Sequence, residues 1–136
     1  MVQVTAAVIE SDGQILIAKR REGDRLAGLW EFPGGKIEEG EDPLHCLARE
    51  LHEEFGITAA IGELLVSHVH HYPHLSIELL SYRAAHVAGE FELRDHDEVR
   101  WVRPDEMGAY EFAPADLPTV AFLQAAYSRP KAAPGG

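Results

Sequence analysis

Three glutamates are spaced so that their carboxylates could share one cation. Glu50, Glu53 and Glu54 stand at positions i, i+3 and i+4 of a single segment, and residues at this spacing are neighbours on the surface of an α-helix. Like charges so placed repel, and a bound cation would turn that repulsion into attraction. Because carboxylate oxygens are hard ligands, they favour Mg²⁺, for which Mn²⁺ can substitute. A solvated acidic helix face has the same pattern, so the neighbouring residues must decide between the two interpretations.

The segment directly upstream carries residue types that suit an anion. Gly34 and Gly35 allow the backbone to approach a ligand closely, and Lys36 supplies a point charge for phosphate. Pro33 and the two glycines interrupt regular structure, which predicts a loop. A plain tight turn would explain the glycines but not the lysine and the glutamates that follow. The loop and the helix together therefore predict a site for phosphate and metal.

Helix start and stop signals bracket the glutamates. Asp42 is a good N-cap residue, Pro43 suits the first helical position, and Gly56 can end the helix in a left-handed conformation. On the side away from the glutamates, one apolar stripe is predicted to pack on a core, and it consists of Leu44, Leu47, Ala48, Leu51 and Phe55.

The remaining pattern contains more strands than helices. β-branched and apolar runs predict a hairpin from residues 2–10 and 14–19, further strands at 57–71, 75–87 and 98–102, and a final helix at 116–127. This order predicts one α/β domain, residues 1–128, with a mixed sheet covered by helices on its faces. Residues 129–136 are rich in Pro, Ala and Gly, which predicts a flexible tail.

Composition limits the partners. The chain has 136 residues, with 12 Lys and Arg against 23 Asp and Glu, a formal net charge of −11. This charge repels long nucleic acid and anionic membranes, whereas small phosphorylated ligands can still bind where local cations or metal ions reverse the potential. The single cysteine, Cys46, cannot form an internal disulfide, and we find neither an apolar run long enough to span a bilayer nor a basic, apolar leader. A cytoplasmic protein is therefore expected.

One continuous segment carries a specific family resemblance. Residues 35–57 read GKIEEGEDPLHCLARELHEEFGI, and this segment resembles the Nudix box, GX5EX7REUXEEXGU with U aliphatic, at every position and without a gap. The resemblance implies a Nudix-type α/β/α sandwich with a mixed β-sheet and a hydrolase that cuts phosphoanhydride bonds of nucleotides.

The resemblance also implies roles for individual residues of the box. Glu50, Glu53 and Glu54 would hold divalent metal, with the carbonyl of Gly34 as a further ligand, and Glu53 or Glu50 would accept the proton of the attacking water. Arg49 is similar to the family arginine that orients a catalytic carboxylate, although an ordinary surface ion pair is the alternative. Glu41 also matches the box, and a place near the positive end of the helix dipole explains it almost as well.

Three segments outside the box indicate which members of the family the chain resembles most. Residues 18–20, 28–35 and 112–116 are most similar to MutT-like and CTP pyrophosphohydrolase-like members, which release a nucleoside monophosphate and pyrophosphate from a triphosphate. The substrate-binding residues that this likeness implies are Arg20, Glu31, Phe32, Gly35, Lys36 and Asp116. Because an ionised aspartate only accepts hydrogen bonds, Asp116 suits the amino group of cytosine or the donor edge of guanine. Thus 8-oxo-dGTP and cytidine nucleotides both remain open.

Several alternatives accompany these assignments. Asp116 could instead be the N-cap of the final helix. Either Asp95 or Glu98 could be an extra acid near the metal, because family members often place one in this region. The histidines at 68, 70, 71 and 74 are interpreted as strand and turn residues rather than as a transition-metal site. Rival functions are hydrolysis of a dinucleoside polyphosphate or ADP-ribose, and nucleotide sensing without turnover. The protein is expected to be a monomer or a homodimer.

Overall fold

A computed structural model describes residues 1–127. Within them the chain forms seven strands and two α-helices. In chain order the elements are β1 (Val2–Ser11), β2 (Gln14–Arg20), β3 (Trp30–Glu31), β4 (Gly34–Lys36), α1 (Pro43–Phe55), β5 (Thr58–Tyr72), β6 (Leu75–Ala88), β7 (His96–Val102) and α2 (Leu117–Tyr127). Two short 3₁₀ segments, Pro104–Ala109 and Pro114–Asp116, lead into α2. The predicted flexible tail, residues 129–136, lies outside the described residues.

The strands form one mixed sheet with β1 near its centre. The main path has the order β3-β2-β1-β6-β5, while β4 pairs with β1 and β7 pairs with β2. β1 runs parallel to β6 over the register Val2↔Ile77 to Ile9↔Ala84, and antiparallel to β2 and β4. The other pairs are antiparallel. This arrangement confirms the predicted mixed sheet and the hairpin of the first two strands.

Alternation along β1 and β2 separates two cores. Val8 and Ile17 lie in a cluster with Val120 and Leu123 of α2, whereas the neighbouring residues of each strand face the other side of the sheet, where Leu51 belongs to a cluster with α1. Because successive strand residues point to opposite faces, an unbroken apolar run in a strand predicts burial on both faces. A helix on each face completes the α/β/α sandwich.

The helix that carries the glutamates begins and ends as predicted. Pro43 is its first residue, and Gly56 follows it at φ 72°, in the left-handed region. Asp42 occupies the N-cap position, but its side chain makes no capping hydrogen bond. Leu47, Leu51 and Phe55 are fully buried as expected. The prediction that Leu44 packs on the core was wrong, because the residue is 41% exposed.

The loop predicted around Pro33, Gly34 and Gly35 is only partly a loop. Gly34–Lys36 is strand β4, which pairs antiparallel with β1 in the register Thr5↔Gly35. A Cβ on Gly34 would lie 2.0 Å from the carbonyl oxygen of Thr5. The glycine is therefore required for close contact between two backbones, a tertiary feature that the local sequence does not reveal.

No helix within residues 1–127 is long and apolar enough to span a membrane.

Candidate active site

A cavity of about 460 Å³ lies beside β4 and the carboxyl end of α1. We call its part near Glu54 and Asp95 the acidic end, and its part near Phe32 and Asp116 the apolar end. The charge of Glu31 raises the pKa of Glu54 and also that of Asp116. The charge of Glu54 does not act on the pKa of Asp116 in the same way. Glu31 therefore lies between the two ends.

Glu54 is the buried carboxylate of the acidic end. Burial raises its pKa to about 9, and the charges of Glu31, Glu50 and Asp95 act in the same direction, whereas a hydrogen bond from the backbone of Gly34 opposes them. Its Oε1 atom is buried and has no hydrogen-bond partner within the described residues. An unpaired buried carboxylate is costly unless it carries a proton or binds a cation. Glu54 is therefore the strongest metal-ligand candidate of the three glutamates.

Glu50 and Glu53 are held by Arg49 instead of converging on Glu54. Arg49 Nη1 donates to Glu50 Oε2 and to Glu53 Oε1, each at 3.2 Å. Its Nε and Nη2 atoms donate to the two oxygens of Glu41 at 2.7 and 2.9 Å. This bidentate contact lowers the pKa of Glu41 to about 2, and it fixes the guanidinium plane. Arg49 thus orients carboxylates, which is more than a single surface ion pair would do.

Gly35 allows Glu50 to approach strand β4. A Cβ at this position would lie 2.2 Å from the carboxyl carbon of Glu50. Any other residue would therefore push that carboxylate away from the cavity wall to which Gly35 belongs. The two glycines of β4 create space for backbone and carboxylate, a role different from the anion-binding loop that their spacing suggested.

Arg20, Glu31 and His96 line the cavity and are connected by two short contacts. Arg20 Nη1 donates to Glu31 Oε1 at 2.8 Å, and His96 Nε2 lies 2.8 Å from Glu31 Oε2. Arg20 Nε also donates to the carbonyl of Arg25 at 2.9 Å, which ties down the loop after β2. Both oxygens of Glu31 are thus occupied within the protein. Glu31 therefore holds Arg20 rather than presenting two free oxygens to a base.

The apolar end combines aromatic walls with one buried acid. Phe32 stacks on Phe112 with ring centroids 5.5 Å apart, and Tyr72 Oη accepts a hydrogen bond from the backbone N–H of Ala115 at 3.3 Å. Asp116 Oδ1 accepts a long hydrogen bond from the backbone N–H of Phe32 at 3.5 Å. Burial raises the pKa of Asp116 well above its ordinary value, and Glu31 adds to this effect. This carboxylate thus accepts from the backbone of Phe32, which also lines the cavity, rather than from the start of α2.

Other predicted residues lie in different places. Asp95 lines the cavity, whereas Glu98 is paired with Arg100 on β7 and does not line it. Lys36 is exposed and lies outside the cavity lining, and the Glu53 side chain is 57% exposed. His96 was not predicted at all. Its only signal in the sequence is a position directly after Asp95, a residue already considered as an extra acid.

The donor set fits a hard divalent cation. Among residues 1–127, no three His, Cys, Asp or Glu side chains converge closely enough to hold a metal ion as they stand, because Arg49 draws two of the glutamates to itself. The partnerless buried oxygen of Glu54 and the adjacent acids supply hard oxygen ligands. The four histidines of β5 and its turn include His71 bonded to Ser76 and His70 packed against Tyr72, contacts that suit strand and turn residues.

The sheet, the glutamate helix and the acidic cavity suit a site that binds a divalent metal and a phosphorylated ligand. The sequence model of a protein family, described as the NUDIX domain, matches residues 4–121 of the chain. The chain therefore belongs to this family. The predicted family, fold and enzyme class are therefore confirmed. Members of the family generally need a divalent metal.

Relatives extend this assignment over nearly the whole chain. The chain is 40% identical over 131 residues to a CTP pyrophosphohydrolase of Escherichia coli K12, covering 96% of this chain and 97% of that protein. It is 38% identical over 117 residues to an 8-oxo-dGTP diphosphatase of Haemophilus influenzae, with coverages of 85% and 86%. The solution structure of the E. coli ORF135 protein superimposes with a TM-score of 0.85 at 39% identity, covering 96% of this chain and 94% of that one.

Proposed function

We propose that the protein hydrolyses a nucleoside triphosphate to a nucleoside monophosphate and pyrophosphate, with Mg²⁺ as the metal and Mn²⁺ as a substitute. The observation that carries the proposal is the two-ended cavity, which is lined by Glu54 at one end, by Asp116 at the other, and by the Arg20–Glu31 ion pair. Its volume of about 460 Å³ is in the range of small-molecule sites. The relatives named for CTP and for 8-oxo-dGTP support the same substrate class.

The acidic end would hold the metal and the phosphates. Glu54, Glu50 and Glu53 would be the ligands, together with the carbonyl of Gly34. When bound, the divalent ion neutralises charge on the phosphates and acidifies the attacking water. Glu53 or Glu50 would accept the proton of that water. Arg49 would keep the carboxylates of Glu50 and Glu53 in place through its hydrogen bonds to them.

The apolar end would hold the base. Burial raises the pKa of Asp116 well above its ordinary value and so favours its protonated form, which can donate as well as accept. The expectation from sequence that Asp116 only accepts applies to its ionised form. A protonated Asp116 suits the carbonyl of an oxidised purine as well as the ring nitrogen and amino group of cytosine. Both 8-oxo-dGTP and cytidine triphosphates remain within the proposal.

The setting of the reaction follows from the charge of the chain. A formal net charge of −11 disfavours long nucleic acid and anionic membranes, so we propose small nucleotides as the only substrates. We further propose that the enzyme works in the cytoplasm, as a monomer or a homodimer.

A kinetic panel with Mg²⁺ tests the proposal. Its members are 8-oxo-dGTP, dCTP, 5-methyl-dCTP and CTP, with ADP-ribose and a dinucleoside tetraphosphate as alternative substrates, and the consumption of each is measured by chromatography, because only the triphosphates can release pyrophosphate. We expect a triphosphate to have the highest kcat/KM, and hydrolysis in ¹⁸O-labelled water identifies the phosphorus that is attacked. If ADP-ribose or the dinucleoside tetraphosphate outpaces every triphosphate, the proposal is wrong. A Glu53→Gln, Glu54→Gln double variant that retains full activity would refute the metal mechanism.

A further inference from the structure

We propose that His96 is a positioning residue, which acts through Glu31 to hold Arg20 in the orientation that binds the substrate. This inference rests on the proposed function for the role of Arg20, and it is carried by the contacts of His96 itself. The side chain of His96 is only 3% exposed, and its Nε2 atom lies 2.8 Å from Glu31 Oε2. Glu31 Oε1 in turn accepts from Arg20 Nη1 at 2.8 Å. A continuous chain of short contacts thus joins a buried ring to a cavity-lining guanidinium.

The packing around His96 fixes its ring. The imidazole stacks on Phe55 with ring centroids 5.3 Å apart and an interplanar angle of 6°. Phe55 is fully buried and directly follows Glu54 on α1. The ring plane of His96 is therefore set by the same helix that carries the metal-ligand candidates. Helix α1 thus positions both the acidic end and the ring that contacts Glu31, the partner of Arg20.

The strand register brings the three side chains together. His96 pairs with Arg20 where the register between β2 and β7 shifts, and Glu31 lies opposite Ala18 on the other side of β2. An irregularity of this kind re-aims a side chain relative to the regular pleat. Histidine, arginine and glutamate from three adjacent strands consequently meet above the cavity without any of them being close to the next in sequence.

A purely structural role does not explain the choice of histidine. The Nδ1 atom of His96 is buried and has no hydrogen-bond partner within the described residues. An unpaired polar atom in this position is unfavourable, and an apolar ring would fill the same space without that cost. With its proton on Nε2, a neutral ring leaves only a lone pair unpaired and donates to Glu31. The contact with Glu31 is therefore the feature that distinguishes histidine from phenylalanine here.

Glu31 would transmit a change at His96 to the substrate. With both oxygens occupied, the carboxylate cannot rotate away from Arg20. Losing the His96 contact would free one oxygen, let the Arg20 guanidinium reorient, and weaken binding. His96 also lines the cavity, but its side chain is only 3% exposed and its Nε2 atom is in contact with Glu31, so the chemistry at the acidic end should change less than binding does.

The test compares two phenylalanine variants. His96→Phe keeps a ring to stack on Phe55 and removes the donor. His86→Phe is the matched control, because His86 also has one ring-nitrogen contact, to the carbonyl of Gly89 at 2.6 Å, and packs on an aromatic ring, Phe91, outside the cavity lining. We expect His96→Phe to raise KM for the best nucleotide of the panel by roughly 10- to 100-fold, with kcat changed by less than about threefold. His86→Phe should leave both constants unchanged.

Two further variants separate positioning from folding. His96→Gln keeps a donor near the position of Nε2 and should restore most of the lost binding. In an Arg20→Lys background, His96→Phe should have little additional effect, because the two residues act through the same carboxylate. Equal kinetics for His96→Phe and His86→Phe would overturn the proposal. So would an undiminished effect of His96→Phe in the Arg20→Lys background, or a loss of thermal stability with unchanged KM.

A measurement without substrate keeps this inference apart from the proposed function. The Nε–H resonance of Arg20, assigned by its loss in Arg20→Lys, reports the order of the guanidinium in the free protein. We expect the signal to shift and broaden in His96→Phe but not in His86→Phe, and an unchanged signal overturns the inference. If the wild-type protein hydrolyses no triphosphate, the proposed function fails, while the resonance still decides whether His96 positions Arg20.

Discussion

The acidic end and the apolar end of the cavity each contain one buried carboxyl group, but they are assembled differently. Glu54 lies about one helical turn from Glu50 and Glu53, so the three glutamates that are metal-ligand candidates come from a single short segment. Asp116 reaches Phe32 across 84 positions of sequence, and the wall beside it includes Tyr72 of a third element. The proposed metal site is thus encoded locally, whereas the proposed base site depends on the tertiary fold.

The largest expected effect is on catalysis at the acidic end. Glu54→Gln removes the most buried metal-ligand candidate with little change in shape, and kcat should fall roughly 10³-fold, equivalent to about 4 kcal/mol of transition-state stabilisation. The reduction should be similar for every nucleotide, because the phosphates are common to all of them. Steady-state kinetics with saturating Mg²⁺ measures the effect.

Glu63→Gln is a suitable control for this variant. Glu63 is an exposed acid on β5 that pairs with Arg83 at 3.7 Å, outside the cavity lining. It should retain the wild-type kcat. If Glu54→Gln lowered kcat for one base and not for another, the separation between a catalytic end and a recognition end would be wrong.

A smaller, base-dependent effect is expected at the apolar end. Asp116→Ala removes a buried hydrogen-bonding group, and KM for the preferred base should rise roughly 10- to 100-fold, with a smaller change for poor substrates. Asp116→Asn keeps one donor and one acceptor, so it should retain most of the wild-type preference if Asp116 carries a proton. The ratio of kcat/KM between 8-oxo-dGTP and dCTP is the measurement.

Asp105→Asn provides the control at this end. Asp105 is exposed and pairs with Arg103 at 2.8 Å, far from the lining of the cavity. It should not change the preference between bases. Should Asp116→Asn lose binding as severely as Asp116→Ala, an ionised Asp116 would be the acting form, and the argument from its burial would be wrong.

What the sequence predicted follows the same division. Helix α1, its glycine stop and the metal-ligand candidates were predicted because spacing, caps and the Nudix box all lie within residues 35–57. Strands β3 and β4 were missed because two or three residues carry no periodicity, and they are strands only through their pairing with β2 and β1. Such pairing cannot be recognised from a segment that reads as a turn.

The site residues that were missed or misinterpreted depend on long-range contacts. His96 stands among charged residues that read as a loop, and only the pairing of β7 with β2 brings it to Glu31. The raised pKa of Asp116 has its main cause in burial, which several separate segments produce together. Sequence reasoning considered only the ionised form of Asp116, because burial is not visible in a local pattern.

The smallest expected effect concerns stability, and it compares a buried with an exposed glutamate on the same helix. The pKa of Glu54 is about 9 in the folded protein, against an ordinary value of 4.5. Between these values the folded state keeps a proton that the unfolded state loses. The free energy of unfolding of the protein in a chelator should therefore fall as pH rises from about 5 to 8.

Glu54→Gln removes this pH dependence, so at pH 8 it should gain at least about 1.4 kcal/mol of stability relative to wild type, the free energy of one pKa unit, and gain much less at pH 5. Urea unfolding of both proteins at the two pH values measures the difference, and other titrating groups cancel in the comparison. Glu53→Gln should show no such dependence, since the Glu53 side chain is 57% exposed.

Adding Mg²⁺ should stabilise wild type more than Glu54→Gln, because a ligand that binds only the folded state raises its stability. An equal offset between wild type and Glu54→Gln at both pH values would mean that Glu54 is ionised throughout, and the acidic end would then be stabilised by something other than a proton or a metal.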